Sequence, residues 1–326
     1  MKPKQDNTPV VLNKNEQGEY RMVVRLGEDA RTLIQRNPNL FVSREYDGYP
    51  VGFLRPRFSY KEIPNVRLEL LDEDYELALS LNGFETDIML ASENEPLNVG
   101  FLSAHLKATG NIHRAVKASE AFSDKVEEIQ NATHLSNEEK TKQIDAITQA
   151  FEEQEKQYEI ETSKKLYQQY QDILAVLKKY NWKPDLYPYS PRIFGQESWV
   201  LQGDYKYGHL IDRDGFYIDS YEKWQKYVED DDIFVCFYRK NLLLRLSVND
   251  LSPRLEIETN TSHYLNREDD RWMEKLAADI PKWQAQRKET EDILRAKGYT
   301  IDESYVDAPL PKEFLEWQQA ERLNSK

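Results

Sequence analysis

Cysteine is almost absent from this chain. Cys236 is the only one among 326 residues, so no disulfide can form within it, and the apolar run Ile233-Phe234-Val235-Cys236-Phe237-Tyr238 gives that thiol the role of a small buried hydrophobe. Long apolar runs are missing as well. No window reaches the roughly 18 continuous apolar residues of a membrane helix, and Met1 to Asn7 has no apolar leader-type stretch. Positive charge is scarce: 44 Lys and Arg stand against 58 Asp and Glu, a net charge of −14, which argues against nucleic acid or an anionic membrane as a partner. Together these absences predict a soluble protein of a reducing compartment, the cytoplasm.

The common chemical signatures are also lacking. There is no Gly-x-Gly-x-x-Gly, no Walker loop and no Gly-x-Ser-x-Gly. The five histidines, His105, His113, His134, His209 and His263, lie far apart, which excludes a zinc site built from local pairs. Asp212-x-Asp214-Gly215 has half the look of a calcium loop. With Gly215 at loop position six, however, the first and last positions are Leu210 and Tyr221, which supply no carboxylate. No cofactor is implied.

Glycine and proline vanish from Asn111 to Lys183, while the rest of the chain holds all 12 Gly and all 14 Pro. That stretch reads as two long helices. Ser136 followed by Glu139 has the spacing of a capping box and starts the second one. Ile112, Ala115, Phe122, Val126 and Ile129 recur at three- and four-residue steps, as do Ile144, Ile147, Phe151, Tyr158, Leu166, Tyr170, Ile173 and Leu177. Two such stripes predict an antiparallel, coiled-coil-like hairpin. A helix from Asn137 to Tyr180 would extend about 66 Å, longer than its mate can cover, so the excess must pack elsewhere.

Before the hairpin the apolar pattern has period two, as in Tyr20-Arg21-Met22-Val23-Val24-Arg25-Leu26 and Glu76-Leu77-Ala78-Leu79-Ser80-Leu81. The spacing predicts an antiparallel meander with a helix over Glu28 to Arg36. Its turns fall at Asp47-Gly48, Asp72-Glu73-Asp74 and Asn82-Gly83, the last as a hairpin turn. After Pro184 the composition shifts to Tyr, Trp, Pro and Gly. Strands are predicted at Ser198 to Lys206, Phe216 to Ile218, Ile233 to Arg239, Leu242 to Val248 and Arg254 to Thr259, with a helix at Ser220 to Val228. Helices return from Asn266, with Pro281 starting or kinking one, Gly298 as a stop, and a last helix over Pro311 to Leu323. The expected fold class is α+β: a mostly antiparallel β domain over 1–110, a helical hairpin arm over 111–183, an aromatic-rich α+β domain over 184–262, and C-terminal helices over 263–326 packed on that second domain.

Two features bear on function. Leu68 to Leu106 contains no Lys or Arg but many acids, so Asp72, Glu73 and Asp74 predict a negative surface for a basic protein partner. The aromatic region beginning at Trp182 carries residue types enriched at interface hot spots, and Trp182, Tyr187, Tyr189 and Trp199 are candidates there. The expectation is a non-catalytic interaction or assembly protein that engages protein partners through its arm and acidic face. One enzymatic alternative has a motif behind it. Pro184-Asp185, followed by Asp204-Tyr205-Lys206, resembles the PD-(D/E)xK nuclease signature, which implies that Asp185 and Asp204 hold a divalent metal and Lys206 activates water. A loop aspartate and an alternating strand explain the same residues, and a site assembled from scattered residues is a third option.

Overall fold

The computed structural model describes residues 20–36, 41–44, 53–56, 66–82, 84–91, 98–106, 111–202, 210–211, 218–228, 233–248, 254–264 and 271–324. It is α+β. In the N-terminal part the elements are β1 (Tyr20–Arg25), α1 (Ala30–Arg36), β2 (Phe41–Arg44), β3 (Phe53–Pro56), β4 (Val66–Leu71), β5 (Leu77–Asn82), β6 (Phe84–Ala91) and β7 (Asn98–Leu106). The helices α2 (Asn111–Asn131) and α3 (Asn137–Lys179) follow. Then come β8 (Lys183–Pro184), α4 (Gly195–Gln202), β9 (Leu210–Ile211), α5 (Tyr221–Val228), β10 (Ile233–Arg239), β11 (Leu242–Val248), β12 (Arg254–Thr259), α6 (Asn260–Tyr264), α7 (Trp272–Ala296) and α8 (Lys312–Asn324). No helix among the described residues is long and apolar enough to cross a membrane.

A three-stranded sheet runs in the order β1-β4-β5. Period-two alternation places Met22, Leu68 and Leu81 in one buried row and Val24, Leu70 and Leu79 in the next. On the opposite face Arg21 forms an ion pair with Glu69. The β1–β4 pair is parallel, not part of the expected antiparallel meander. The second sheet runs β2-β3-β6-β7-β12-β11-β10-β8, with β9 beside β10. Strand β7 pairs antiparallel with β12, so one sheet contains strands from both ends of the chain. A buried row, Phe237, Leu244, Ile257 and Leu102, crosses four of its strands.

Helix α3 divides into two halves with different surroundings. Ser136 caps its start as expected, accepting from the Glu139 amide while the Glu139 carboxylate accepts from Ser136. Near this end α2 lies beside α3: the Phe122 and Phe151 rings stack at 4.5 Å, and Lys140 Nζ donates to the Gln130 carbonyl. From 117 to 165 no side chain is fully buried. Leu166, Tyr170, Ile173 and Leu177, expected in the hairpin seam, instead enter the main core with Met22, Leu68 and Leu79 of one sheet and Leu244 and Ile257 of the other. Trp224 of α5 meets Tyr170 at 5.6 Å and donates through its indole to Ser163 Oγ. The surplus length of the helix thus has its partner within the chain.

Several other expectations change. The strands on either side of Asn82-Gly83 do not pair as the expected hairpin, because β5 and β6 belong to different sheets; Gly83 itself lies outside the described residues. Ser198 onward is helical through Gln202 instead of a strand; Gly195, at φ 61°, is the first residue of this helix, and 203–206 lie outside the described residues. Pro281 lies inside α7 and does not begin a new helix. Gly298 does act as the stop: at φ 89° its N–H donates to Arg295 O while the Tyr299 N–H donates to Leu294 O, closing a Schellman motif. The turns at Asp47-Gly48 and Asp212-Gly215 and the start of the Phe216 strand lie outside the described residues, and Ile218 is not in a strand.

The unequal halves of α3 give a direct test. Leu177→Ala should lower the unfolding free energy by about 2–5 kcal/mol, whereas Val126→Ala should cost only about 1 kcal/mol or less because its side chain is half-exposed. Urea denaturation of both variants checks this. Equal losses would mean that the hairpin end is packed as deeply as the core end.

Candidate functional site

The strands that carry the core on one face carry a cavity on the other. Alternation sends Val235, Phe237, Leu244, Leu246, Leu255 and Ile257 into the core. It leaves Cys236, Arg245 and Glu256 in register as one row of the reverse face, with Leu243 opposite Glu258 in the next. Over this floor lies a cavity of about 380 Å³, closed by Asp185 to Pro188 after β8, by His263 and Tyr264 of α6, by Ile280, Trp283 and Gln284 of α7, and by Asp307 to Leu310. Its size and mixed lining suit a small ligand or an inserted side chain.

The two irregular walls are pinned by polar bonds. Arg287 forks onto Asp307 at 2.7 and 2.8 Å and also donates to the Tyr187 carbonyl at 3.0 Å, joining both loops to α7. The Leu186 N–H donates to the Tyr305 hydroxyl, Tyr238 donates to the Val306 carbonyl, and Asn260 donates to the Pro309 carbonyl. The Asp185 N–H donates to Cys236 O, continuing the short β8–β10 pairing. His263 Nδ1 lies 2.8 Å from Glu258.

Burial dominates the electrostatics. It pushes the Asp185 carboxyl up to about 6, with the like charge of Asp307 adding to it; His263, the Leu186 amide and Arg287 pull the other way. Burial, reinforced by Asp185, drives the Cys236 thiol up to about 12, so it is no nucleophile at neutral pH. The Tyr264 phenol is likewise raised to about 12 by burial and by Asp185 and Asp307. Tyr187, Tyr238 and Tyr305 are also pushed up, chiefly by burial. The Glu258 hydrogen bond outweighs burial at His263 and raises it.

The residues predicted from sequence fare differently. Asp185 stands directly after β8 and in the cavity wall, not in an unanchored loop. Asp204 and Lys206 lie outside the described residues. Tyr187 and Tyr189 form a near-parallel stack at 5.6 Å, 46 % and 41 % exposed, with Tyr187 on the cavity wall. Trp182 is a core residue whose indole donates to Ala78 O at 2.7 Å. Trp199 sits in α4, its side chain outside the described residues.

Asp72, expected on an open acidic surface, is fully buried. It accepts from the Asp74 and Glu76 amides and bonds Arg239 at 3.1 Å and Lys240 at 2.9 Å. Asp74 and Glu76 also reach Lys240, at 2.6 and 3.1 Å. The side chain of Glu73 is exposed, and its carbonyl accepts from Arg25. The counter-charge missing from the local sequence therefore comes from the β10–β11 turn. His263, Tyr264, Trp283, Arg287 and Asp307 escaped sequence reasoning, since nothing in their spacing joins them to Asp185. The chain matches no protein-family model, no curated protein and no solved structure. Among the described residues no three His, Cys, Asp or Glu side chains are grouped to hold a metal ion.

The two buried aspartates should respond oppositely to pH. Burial raises Asp72, but the bonds from Lys240, the Glu76 amide, Arg239 and the Asp74 amide together outweigh it and hold the carboxyl below its usual value. Its ionised form therefore stabilises the fold at neutral pH, and that contribution is lost as pH falls through the depressed folded value. Asp72→Asn should cost about 1–3 kcal/mol at pH 7 and progressively less in acid. The raised Asp185 carboxyl penalises the folded state once it ionises. Asp185→Asn should then be more stable than the parent above pH 6, with the advantage gone near pH 4, the ordinary carboxylate range. Urea titrations from pH 8 down to about pH 2 read both signs, and destabilisation by Asp185→Asn at pH 8 would contradict the burial argument.

Proposed function

We propose that this chain is a non-catalytic interaction or assembly protein that recognises a protein partner at the cavity and the tyrosine stack beside it. The observation that carries the reading is the parallel Tyr187–Tyr189 pair, two large rings left over 40 % exposed, with Tyr187 on the wall of a preformed cavity and Tyr189 stacked on it. Exposed Tyr beside a pocket is the composition of an interface anchor. The cavity's polar groups support binding over chemistry. Asp307 pairs with Arg287 and Glu256 with Arg254, Glu258 bonds the His263 ring, and the Cys236 thiol is held protonated. The exposed half of the α2–α3 hairpin, with Phe122, Val126 and Ile147 only half-buried, is the second surface available to an assembly.

One observation favours a different class. Asp185 directly follows a strand, the position that a metal-holding aspartate of the nuclease alternative with Asp204 and Lys206 would take. Mg²⁺- or Mn²⁺-dependent cleavage of DNA or RNA that disappears in Asp204→Ala would establish it.

The interaction reading is tested by retention of host proteins on the tagged chain, quantified by mass spectrometry. The parent is compared with Tyr187→Ala/Tyr189→Ala and with Phe122→Asp, all with matched circular dichroism. The tyrosine double variant should lose its specific partner several-fold. Loss confined to Phe122→Asp would move the contact to the hairpin, and equal retention by all three would sink the proposal.

A further inference from the structure

We infer that the cavity receives an organic ammonium group, with Asp185 as its counter-ion and Tyr187, Tyr264 and Trp283 as its aromatic walls. The inference rests on the binding reading above and adds the chemistry of the occupant. Charge decides the sign. The lining holds four carboxylates, Asp185, Glu256, Glu258 and Asp307, against Arg245 and His263. Three of those acids have basic partners of their own: Arg254 pairs with Glu256 and Arg287 with Asp307, and the His263 ring bonds Glu258. The Arg245 guanidinium lies over the Phe234 ring at 3.9 Å. Among the described residues, no Lys, Arg or His forms an ion pair with Asp185.

A mostly buried carboxylate without an ion partner is costly to the fold, and a ligand cation removes that cost on binding. An anionic ligand would bring a second negative charge beside Asp185, and a neutral one would leave Asp185 uncompensated. The aromatic walls act in the same direction. Tyr and Trp ring faces attract cations, most strongly where water is excluded, and quaternary ammonium ions suit them especially well. Ile280 and Leu310, also in the lining, give the alkyl part of such a ligand an apolar surface. A lysine side chain of a partner, methylated or not, and a free amine of similar size present the same chemistry.

The experiment is calorimetric titration of the full chain at pH 8 with choline, n-butylamine and 3,3-dimethyl-1-butanol, the uncharged isostere of choline. Choline or butylamine should bind at least about tenfold tighter than the alcohol, the scale of one charge-assisted contact, and Asp185→Asn should abolish that difference. Trp283→Leu, with an unchanged melting curve, should weaken the cation several-fold as an independent check. Nα-acetyl-lysine N-methylamide and its trimethyl form separate the sources: tighter binding than choline assigns a protein side chain, and weaker binding assigns a free amine. Equal affinity for choline and its isostere, no binding by either cation, or full retention in Asp185→Asn overturns the inference. Those results leave the partner-retention assay untouched, so the interaction reading stands or falls separately.

Discussion

Burial of Leu166, Tyr170, Ile173 and Leu177 on one face of α3 brings the two sheets into a single core. Each of the four side chains is at most 1 % exposed, and the cluster around them draws on β1, β4 and β5 from one side and on β10, β11 and β12 from the other. At about 1.5–3 kcal/mol per fully buried large apolar side chain, the stripe contributes on the order of 10 kcal/mol. That is comparable to the whole net stability of a typical domain. Trp182 and Trp224 extend the stripe at its margins, each spending its indole N–H on a partner inside the fold.

The acidic turn after β4 serves the same end by electrostatics. Asp72 is reached by Arg239 and Lys240 across more than 160 residues of sequence, fastening the small sheet to the β10–β11 turn. Those cations come from β10 and its turn, so Asp72, Asp74 and Glu76, without a counter-charge along the chain, find one in space. Asp185, which has no such partner among the described residues, lies behind β10, β11 and β12, where the face opposite the core forms the cavity floor. A strand packed on one side by a dense core holds its reverse-face side chains at fixed spacing, so Arg245, Glu256 and Glu258 form a preorganised array.

Elements whose signals are local were readable in the sequence. The capping box at Ser136, the stop at Gly298 and the alternation of Leu242 to Val248 each depend on a few consecutive residues, and each appears in the structure. Pairing is not local. Nothing in Tyr20 to Arg25 announces a parallel partner at Val66 to Leu71, and nothing in Asn98 to Leu106 announces β12. Asn82-Gly83 misleads for the same reason: the dipeptide reports backbone permissiveness, whereas the choice of sheet is made by distant strands. The stripe on α3 was visible, but periodicity says which residues share a face and not what covers it. The site was the least legible part, since Asp185, His263, Trp283 and Asp307 are drawn from four separate segments. Only the Tyr-Pro-Tyr character of 187–189 and the Pro184-Asp185 pair pointed to it.

The uninterrupted course of α3 has a mechanical consequence. Its 43 residues form a rod of about 64 Å, built in at one end by the buried stripe and only lightly held at the other by α2. A rod fixed in this way is a lever. A sideways force on the α2–α3 turn becomes a torque at its fulcrum, where Tyr170 and Trp224 meet, so strain at the tip is delivered to the seam between the sheets instead of dissipating in the arm.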